Sequence, residues 1–345
     1  MLRIWCFPGE ENRLSNPYTA ILVEQLRRLG HTVSSPGWLR RFTGRCDVIH
    51  LHWPQKVVRA SLFGSLRTIA VWSAFLALQK ARGAKIVWTM HNVASHEGER
   101  PKLERFWMKH LIARLNGIHA LSQDSLEQAR AHYPALAALP ALVAPHWTYS
   151  DAYPQPNPDA RVTPGTIAFL GDIKAYKGLD AFLTALEQAE PDPRRYLVHG
   201  RPEDEESGRA LENRLQALAA RGWRIEWTLE RLSDQQMADR LAEADLLMLP
   251  YESGENSGLA VLAAERGTPL LVSRLAAFEP LLEELGWPRA TAIKAPLTHW
   301  QIVAAAGAAR SVSGTVPRDF VRRRSPEAVV AEISGYYLFL MDIKG

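Results

Sequence analysis

The chain is predicted to be an α/β protein built from two doubly wound domains. Three features of its 345 residues carry that expectation. Short, continuous apolar runs alternate with helix-length segments, the pattern of parallel strands buried on both faces. The alternation stops once, at the Pro-, Asp- and Asn-rich stretch 148–165 "TYSDAYPQPNPDARVTPG", and then restarts. Several of the runs end in polar loops, many with glycine, at the strand edge where open α/β sheets bind ligands.

In chain order, "LRIWCF" reads as the first strand, and "AILVEQLRRLG" as a helix stopped by Gly30. "HTVSS" and "DVIHLHW" are strands, followed by a long amphipathic helix over 61–82. "AKIVWTMHN" is a strand with a polar end, 102–115 a basic helix, and "GIHALS" a short strand. A helix over 125–132 and "ALVAPHW" complete a first domain, 1–150. Residues 151–165 are expected to be a linker.

The second domain, 166–325, opens with strand "TIAFLG" and a helix over 179–188. Strand "RYLVHG", a helix over 208–221, strand "WRIEWT" and a helix over 233–243 follow, with Ser233 and Gln236 at capping-box spacing. "ADLLMLP" is a strand, Ser257 the N-cap of the next helix, Gly267 and Pro269 its stop, and "PLLVS" another strand. A final helix fills 326–345.

Composition narrows the class. Apolar residues make up 47% and charged residues 23%, as in globular proteins, and a net charge of +4 is small for a nucleic-acid binder. Nucleic acid is not expected as a partner. Two cysteines, Cys6 and Cys46, form no disulfide framework or zinc spacing and read as buried thiols of a reducing cytoplasm. "MLRIWCFPG" is too short and too soon polar for a signal peptide. The most apolar segment, 68–78, falls short of the roughly 20 residues that a membrane span needs.

The loops of the second domain suit a nucleotide diphosphate. "FLGDIKAYKG" places Gly171 after a strand, with Lys174 and Lys177 before a helix. "VHGRPED" puts His199 and Arg201 after the next strand. "LPYESGENSG" brings Tyr251, Asn256, Ser257 and Gly258 to a helix mouth, where free N–H groups and the helix dipole favour an anion, and Gly258 would let it approach the backbone. No P-loop and no G-x-G-x-x-G unit is present. The first domain's strand ends carry histidines and carboxylates instead: Glu11 and Asn16 in "PGEENRLSNPY", His50, His52 and Trp53 in "DVIHLHWP", and His91, His96 and Glu97 in "TMHNVASHEGE". Period-two alternation puts His50 and His52 on one face. The spacing matches no familiar zinc site, and no metal is expected.

These motifs resemble those of the GT-B glycosyltransferases. "LGDIKAYKG" and "LPYESGENSGLAVLAAERGTP" are similar to the phosphate-binding turn and donor loop of the glycosyltransferase-4-like superfamily. "NPY", "DVIHLHWP" and "TMHNVASHE" are similar to the β-mannosyltransferase of xanthan-type exopolysaccharide assembly. The resemblance implies two Rossmann-like domains facing across a cleft, with the C-terminal helix crossing back to the first. It implies a nucleotide-diphosphate sugar (GDP-mannose) as co-substrate and a lipid-linked oligosaccharide as acceptor, with no other cofactor. It departs at one place: the positions of the glutamate pair of many retaining relatives are Gly254 and Leu262, with Glu265 one turn further as a substitute. That departure fits inversion. A retaining enzyme with another donor, or a non-catalytic nucleotide-sugar-binding protein, stays open as an alternative.

On this reading Gly171, Lys174, Lys177, His199, Tyr251, Asn256, Ser257, Gly258 and Glu265 bind the donor. His91 contacts the transferred sugar and Glu97 is the base, with His96, Glu11 and His52 as alternates. Glu11, Asn16, His52 and Trp53 hold the acceptor. Aromatic and basic residues interleave in "PGWLRRFTGR", along 61–80 and in "RFWMKHLIARL", which suits an anionic membrane surface and a peripheral place on the inner face of the cell membrane.

Overall fold

The computed structural model describes residues 1–13, 16–59, 61–91, 100–149, 152–160, 164–254 and 256–343. The chain divides into two compact units, Met1–Trp147 with Arg324–Gly345, and Thr148–Arg323.

Unit 1 runs β1 (Arg3–Phe7), α1 (Tyr18–Arg28), β2 (Thr32–Ser34), α2 (Trp38–Thr43), β3 (Val48–His52), α3 (Leu62–Ala81), β4 (Lys85–Met90), α4 (Pro101–Ile112), β5 (Gly117–Ala120), α5 (Gln123–His132) and β6 (Ala141–Val143). Its strands form one sheet in the order β2-β1-β3-β4-β5-β6, and every pairing is parallel. Alternate residues supply two cores. Trp5, Phe7, Ile49, Leu51, Trp88 and Met90 pack against α3, α4 and α5. Ile4, Cys6, Val48 and Val87 pack against α1 and the C-terminal helix.

Unit 2 continues with β7 (Thr166–Leu170), α6 (Leu179–Glu187), β8 (Arg195–His199), α7 (Glu205–Ala220), β9 (Arg224–Thr228), α8 (Asp234–Glu243), β10 (Leu246–Leu249), α9 (Gly258–Glu265), β11 (Leu270–Val272), α10 (Glu279–Leu285), β12 (Ala290–Ala292), α11 (His299–Ala309) and α12 (Arg318–Arg323). The sheet order is β12-β11-β10-β7-β8-β9, again all parallel. The expected caps form: Ser233 and Gln236 close a capping box, and Ser257 Oγ accepts the Ala260 N–H. α7 starts a turn earlier than its apolar pattern suggests, because Asp204 and Ser207 make a capping box of their own.

The last helix, α13 (Pro326–Asp342), belongs to unit 1. Val329, Val330, Ile333 and Tyr337 enter the core beside α1. The Tyr336 hydroxyl accepts from the Ile118 N–H (3.1 Å) and donates to the Pro140 carbonyl (2.7 Å).

Two expectations change. The stretch read as a linker is bound into unit 2: Asn157 meets Asp239 twice at 2.7 Å, and Arg266 reaches the Tyr153 and Pro154 carbonyls. α3 is not amphipathic. It buries Ser65, Ile69, Phe75, Leu76 and Gln79 but exposes Leu62, Phe63, Leu66 and Val71. Among the described residues it is the one helix long and apolar enough to cross a membrane by length and composition, though Ile69, Phe75 and Leu76 lie in the core of unit 1.

Candidate functional site

In each sheet two neighbouring strands send their connections in opposite directions, and ligands of doubly wound folds sit at the carboxyl ends of that pair. The switch falls between β7 and β10 in unit 2 and between β1 and β3 in unit 1.

In unit 2 the loops after β7, β8 and β10 meet at backbone distance. A Cβ on Gly200 would stand 1.8 Å from the Gly171 carbonyl oxygen, and one on Gly178 would stand 1.9 Å from that of Pro250, so neither position admits a side chain. This approach brings Lys177 to the switch point. Its Nζ lies 5.9 Å from the centre of the Tyr251 ring and 3.8 Å from the point where a Cβ of Gly171 would be. Burial lowers the Lys177 pKa, and Asp172 opposes the shift. The Tyr251 hydroxyl is 3.4 Å from Ser257 Oγ, and burial raises its pKa to about 12. Lys174 and Asn256 flank this group, each half-buried. Beside Gly171 a cavity of about 170 Å³ is lined by Asp172, Gly200, Arg201, Arg231 and Asp234. A larger one, about 630 Å³, runs along α6 past Tyr251 to Arg274 and Lys294.

Three of the residues expected to bind the donor sit in packed surroundings. The space over Gly258 is taken by Tyr149, whose hydroxyl would be 2.8 Å from a Cβ there, so packing already demands this glycine. Glu265 is buried, and its Oε2 accepts the Tyr149 N–H. It braces the start of unit 2. His199 is buried as well, on the opposite side of β8 from Val198, which faces the α6 and α7 core. Neither of its ring nitrogens has a hydrogen-bond partner among the described residues, and burial lowers its pKa to about 4.

In unit 1 the switch point is walled by rings. A cavity of about 440 Å³ opens at the ends of β1 and β3, lined by Phe7, Glu11, His52, Trp53, Trp72 and Trp107, with Arg41, Lys56 and Arg59. Arg41 lies over Phe7 (4.6 Å) and Trp72 (5.0 Å), a cation held against aromatic faces. Three of the predicted acceptor residues, Glu11, His52 and Trp53, therefore come together. Asn16 instead opens α1, its Oδ1 accepting the Tyr18 N–H at 3.0 Å.

Behind the cavity stands a layer of buried histidines. His50 and His52 do share a face, their rings 4.3 Å apart. His119 Nε2–H donates to the Ala144 carbonyl (3.0 Å), so Nδ1 accepts from the Thr89 hydroxyl (2.9 Å). The Thr89 oxygen then accepts from His50 Nε2–H, and His50 Nδ1 accepts from the Tyr337 hydroxyl, each at 2.5 Å. Burial holds His50, His52 and His91 well below the usual imidazole range and His119 and His146 at about 4. These are neutral, hydrogen-bonded rings. Among the described residues no three His, Cys, Asp or Glu side chains are grouped so that they could hold a metal ion. His96 and Glu97 lie outside the described residues.

Sequence reasoning missed Tyr18, whose ring meets His91 edge-on (4.7 Å) and stacks on Trp147 (3.8 Å). It also assigned Arg41 to a membrane surface. The signal for Tyr18 was present in "NPY"; that for Arg41 was not, since only the fold separates it from exposed Trp38.

No protein-family model matches the chain. It is 27% identical over 246 residues to the GDP-mannose:glycolipid 4-β-D-mannosyltransferase of Xanthomonas campestris pv. campestris (strain ATCC 33913), and 26% to a second sequence of that name from the same pathovar. The alignments take in 70% of this chain and 65% of each relative's length. Among solved structures, sucrose-phosphate synthase from Thermosynechococcus elongatus superposes with a TM-score of 0.71 at 16% identity over the whole of both chains. Anabaena HepE in complex with UDP-glucose gives 0.71 at 12% identity, over 98% of this chain and all of its own. The fold is GT-B, and the motif resemblance to bacterial β-mannosyltransferases extends through most of the chain.

Proposed function

We propose that the chain is a glycosyltransferase that moves a mannosyl residue from GDP-mannose to a hydroxyl of a lipid-linked glycan, with inversion, in exopolysaccharide assembly. The observation that carries this reading is the pair of switch-point sites: glycine loops with Lys177 in one unit, aromatic walls with Arg41 in the other. The relative's name supplies the donor and the acceptor class. Lys177, with Lys174 nearby, meets the leaving diphosphate as its charge grows. The rings of unit 1 face the acceptor sugar. Glu97 takes the acceptor proton, assigned from its place after the "TMHN" strand.

The acceptor's lipid requires a membrane surface, and unit 1 offers one. Trp38, Leu39, Phe63, Leu66 and Phe106 are exposed on α2, α3 and α4, among exposed Arg40, Arg67, Lys102, Arg105 and Lys109. The only carboxylate in these three helices is Glu104, which is buried. Such a face suits the anionic inner leaflet.

A second reading, a nucleotide-sugar-binding protein without turnover, is favoured by one observation: Gly254 and Leu262 replace the family glutamates, and Glu265 is engaged within unit 2. Incubation with labelled GDP-mannose and a lipid-diphosphate glycan extract separates the two. Label moving into the lipid phase supports transfer. GDP-mannose binding with no transferred label supports the second reading.

A further inference from the structure

Away from the switch points, unit 1 carries an open apolar groove of about 690 Å³, a volume within the range of ligand sites. One wall is the second half of α4, and the other is the 3₁₀ turn Pro134–Ala138. The floor belongs to the core: Ile112 and Leu115 are core residues, and Tyr133 and Leu139 pack against them. Leu136 is fully buried and its N–H donates to the Tyr133 carbonyl at 2.9 Å, which ties the turn down. Both walls are therefore held by the core.

The lining changes character along the groove. Arg105, Lys109 and Ala113 are spaced four residues apart and form one stripe on the helix. Arg105 and Lys109 are exposed and make no ion pair among the described residues, and none of the described lining residues is a carboxylate. Toward the other end Ile112, Leu115, Pro134 and Leu139 present hydrocarbon. The C-terminal end of α4 lies there, and its negative dipole end disfavours an anion. A ligand that suits both ends has an anionic head and a hydrocarbon body. A peptide does not, because its backbone groups would meet hydrocarbon side chains and go unpaired. Arg105 and Lys109 also belong to the exposed basic face of α2, α3 and α4, with exposed Phe106 between them in sequence.

We propose that this groove takes one chain of an anionic membrane phospholipid, with its phosphate at Arg105 and Lys109 and its chain laid toward Leu115 and Leu139. The inference rests on the membrane-facing reading of unit 1 and names the partner of that face. The lipid anchors α4, the helix that also sends Trp107 to the ring-walled cavity, and so fixes the wall of that cavity to the bilayer.

The test titrates the full chain, without membrane, with dodecyl phosphate kept below its micelle concentration. Wild type should bind one molecule, and inorganic phosphate at the same concentration should not bind. Ala113→Trp fills the groove from an exposed position and should lower the affinity at least tenfold, with the melting temperature unchanged. Ala135→Trp, on the facing wall, should do the same, so that a folding defect in one variant does not decide the matter. Arg105→Gln with Lys109→Gln should weaken binding about tenfold or more, the scale of a lost charge-assisted contact. Sedimentation with phosphatidylglycerol vesicles should fall in both tryptophan variants. Wild-type affinity for dodecyl phosphate in both of them overturns the proposal, as does binding of many molecules without saturation. Unchanged vesicle binding in both, or a clear preference for a prenyl phosphate of similar length, overturns the phospholipid as the occupant. Sugar transfer without dodecyl phosphate binding sinks this inference alone; dodecyl phosphate held in the groove without sugar transfer sinks the transferase reading alone.

Discussion

At its switch point unit 2 presents backbone, with glycines packed against carbonyls and Lys177 over Tyr251, whereas unit 1 presents rings and a buried histidine layer. Loops stripped of side chains bring N–H groups and a cation close to a phosphate, which has no face to stack on. Ring walls suit a sugar, whose apolar face stacks and whose hydroxyls need oriented partners. Both units are six-stranded parallel sheets, in different strand orders, and they differ in what the strand ends carry, so a defect in one should spare the ligand of the other.

The largest expected effect divides chemistry from donor binding. Glu97→Gln should lower transfer by roughly 10²–10⁴-fold, the usual worth of a general base. GDP affinity measured on the same variant should stay at the wild-type value. A loss of GDP binding instead would remove Glu97 from the base's role.

Gly200→Ala attacks the backbone construction of unit 2. The added methyl meets the Gly171 backbone carbonyl rather than a flexible side chain, so a loss of about 3 kcal/mol is expected, at the upper end for overpacking. Hydrogen exchange should place the damage at the ends of β7 and β8, with the amides of β3 and β4 still protected. Uniform loss across both units would contradict their independence.

How much of this was legible depended on sequence distance. Gly171, Lys177, Tyr251 and Ser257 lie in strand–loop–helix units, where turn chemistry and capping are local, and the structure brings them together. A second demand on Gly258, the packing of Tyr149 from another part of the chain, was not legible. Glu265 looked available by helical spacing, and one of its oxygens, Oε2, accepts the Tyr149 N–H. In unit 1, alternation placed His50 and His52 on one face, but the contacts with Thr89, His119 and Tyr337 span four elements. The same limit applied to the aromatic residues. Trp38 and Phe63 are exposed, while Phe75 and Trp107 are core, and interleaved arginines do not tell one from the other.

Acid should separate the units more gently. An unfolded imidazole titrates near 6.5, whereas His119 and His146 are held at about 4 and His50, His52 and His91 well below 6.5. Between those values the unfolded chain binds more protons, so the contribution is whole above pH 6.5 and lost as the pH falls toward 4. Five such rings in unit 1, against His199 in unit 2, predict that protection of β3–β5 falls first between pH 6 and 4.5. Unit 2 losing protection first would reverse the comparison.

The smallest effect concerns the outer face of unit 1. Trp38→Ser with Leu39→Ser should change stability by less than about 0.5 kcal/mol, because both side chains are exposed. The pair should reduce sedimentation with anionic vesicles, and salt should release the wild type by screening its cations. Equal binding of wild type and variant would take α2 out of the docking face.

The division of ligands between the units is tested most directly by calorimetric titration of GDP into wild type, Lys177→Ala and Arg41→Ala. The account predicts weaker binding in Lys177→Ala, by about 1.5–3 kcal/mol for a lost charge-assisted contact, and wild-type affinity in Arg41→Ala. Weakened binding in Arg41→Ala, with Lys177→Ala unchanged, would contradict it and move the nucleotide to the ring-walled site of unit 1.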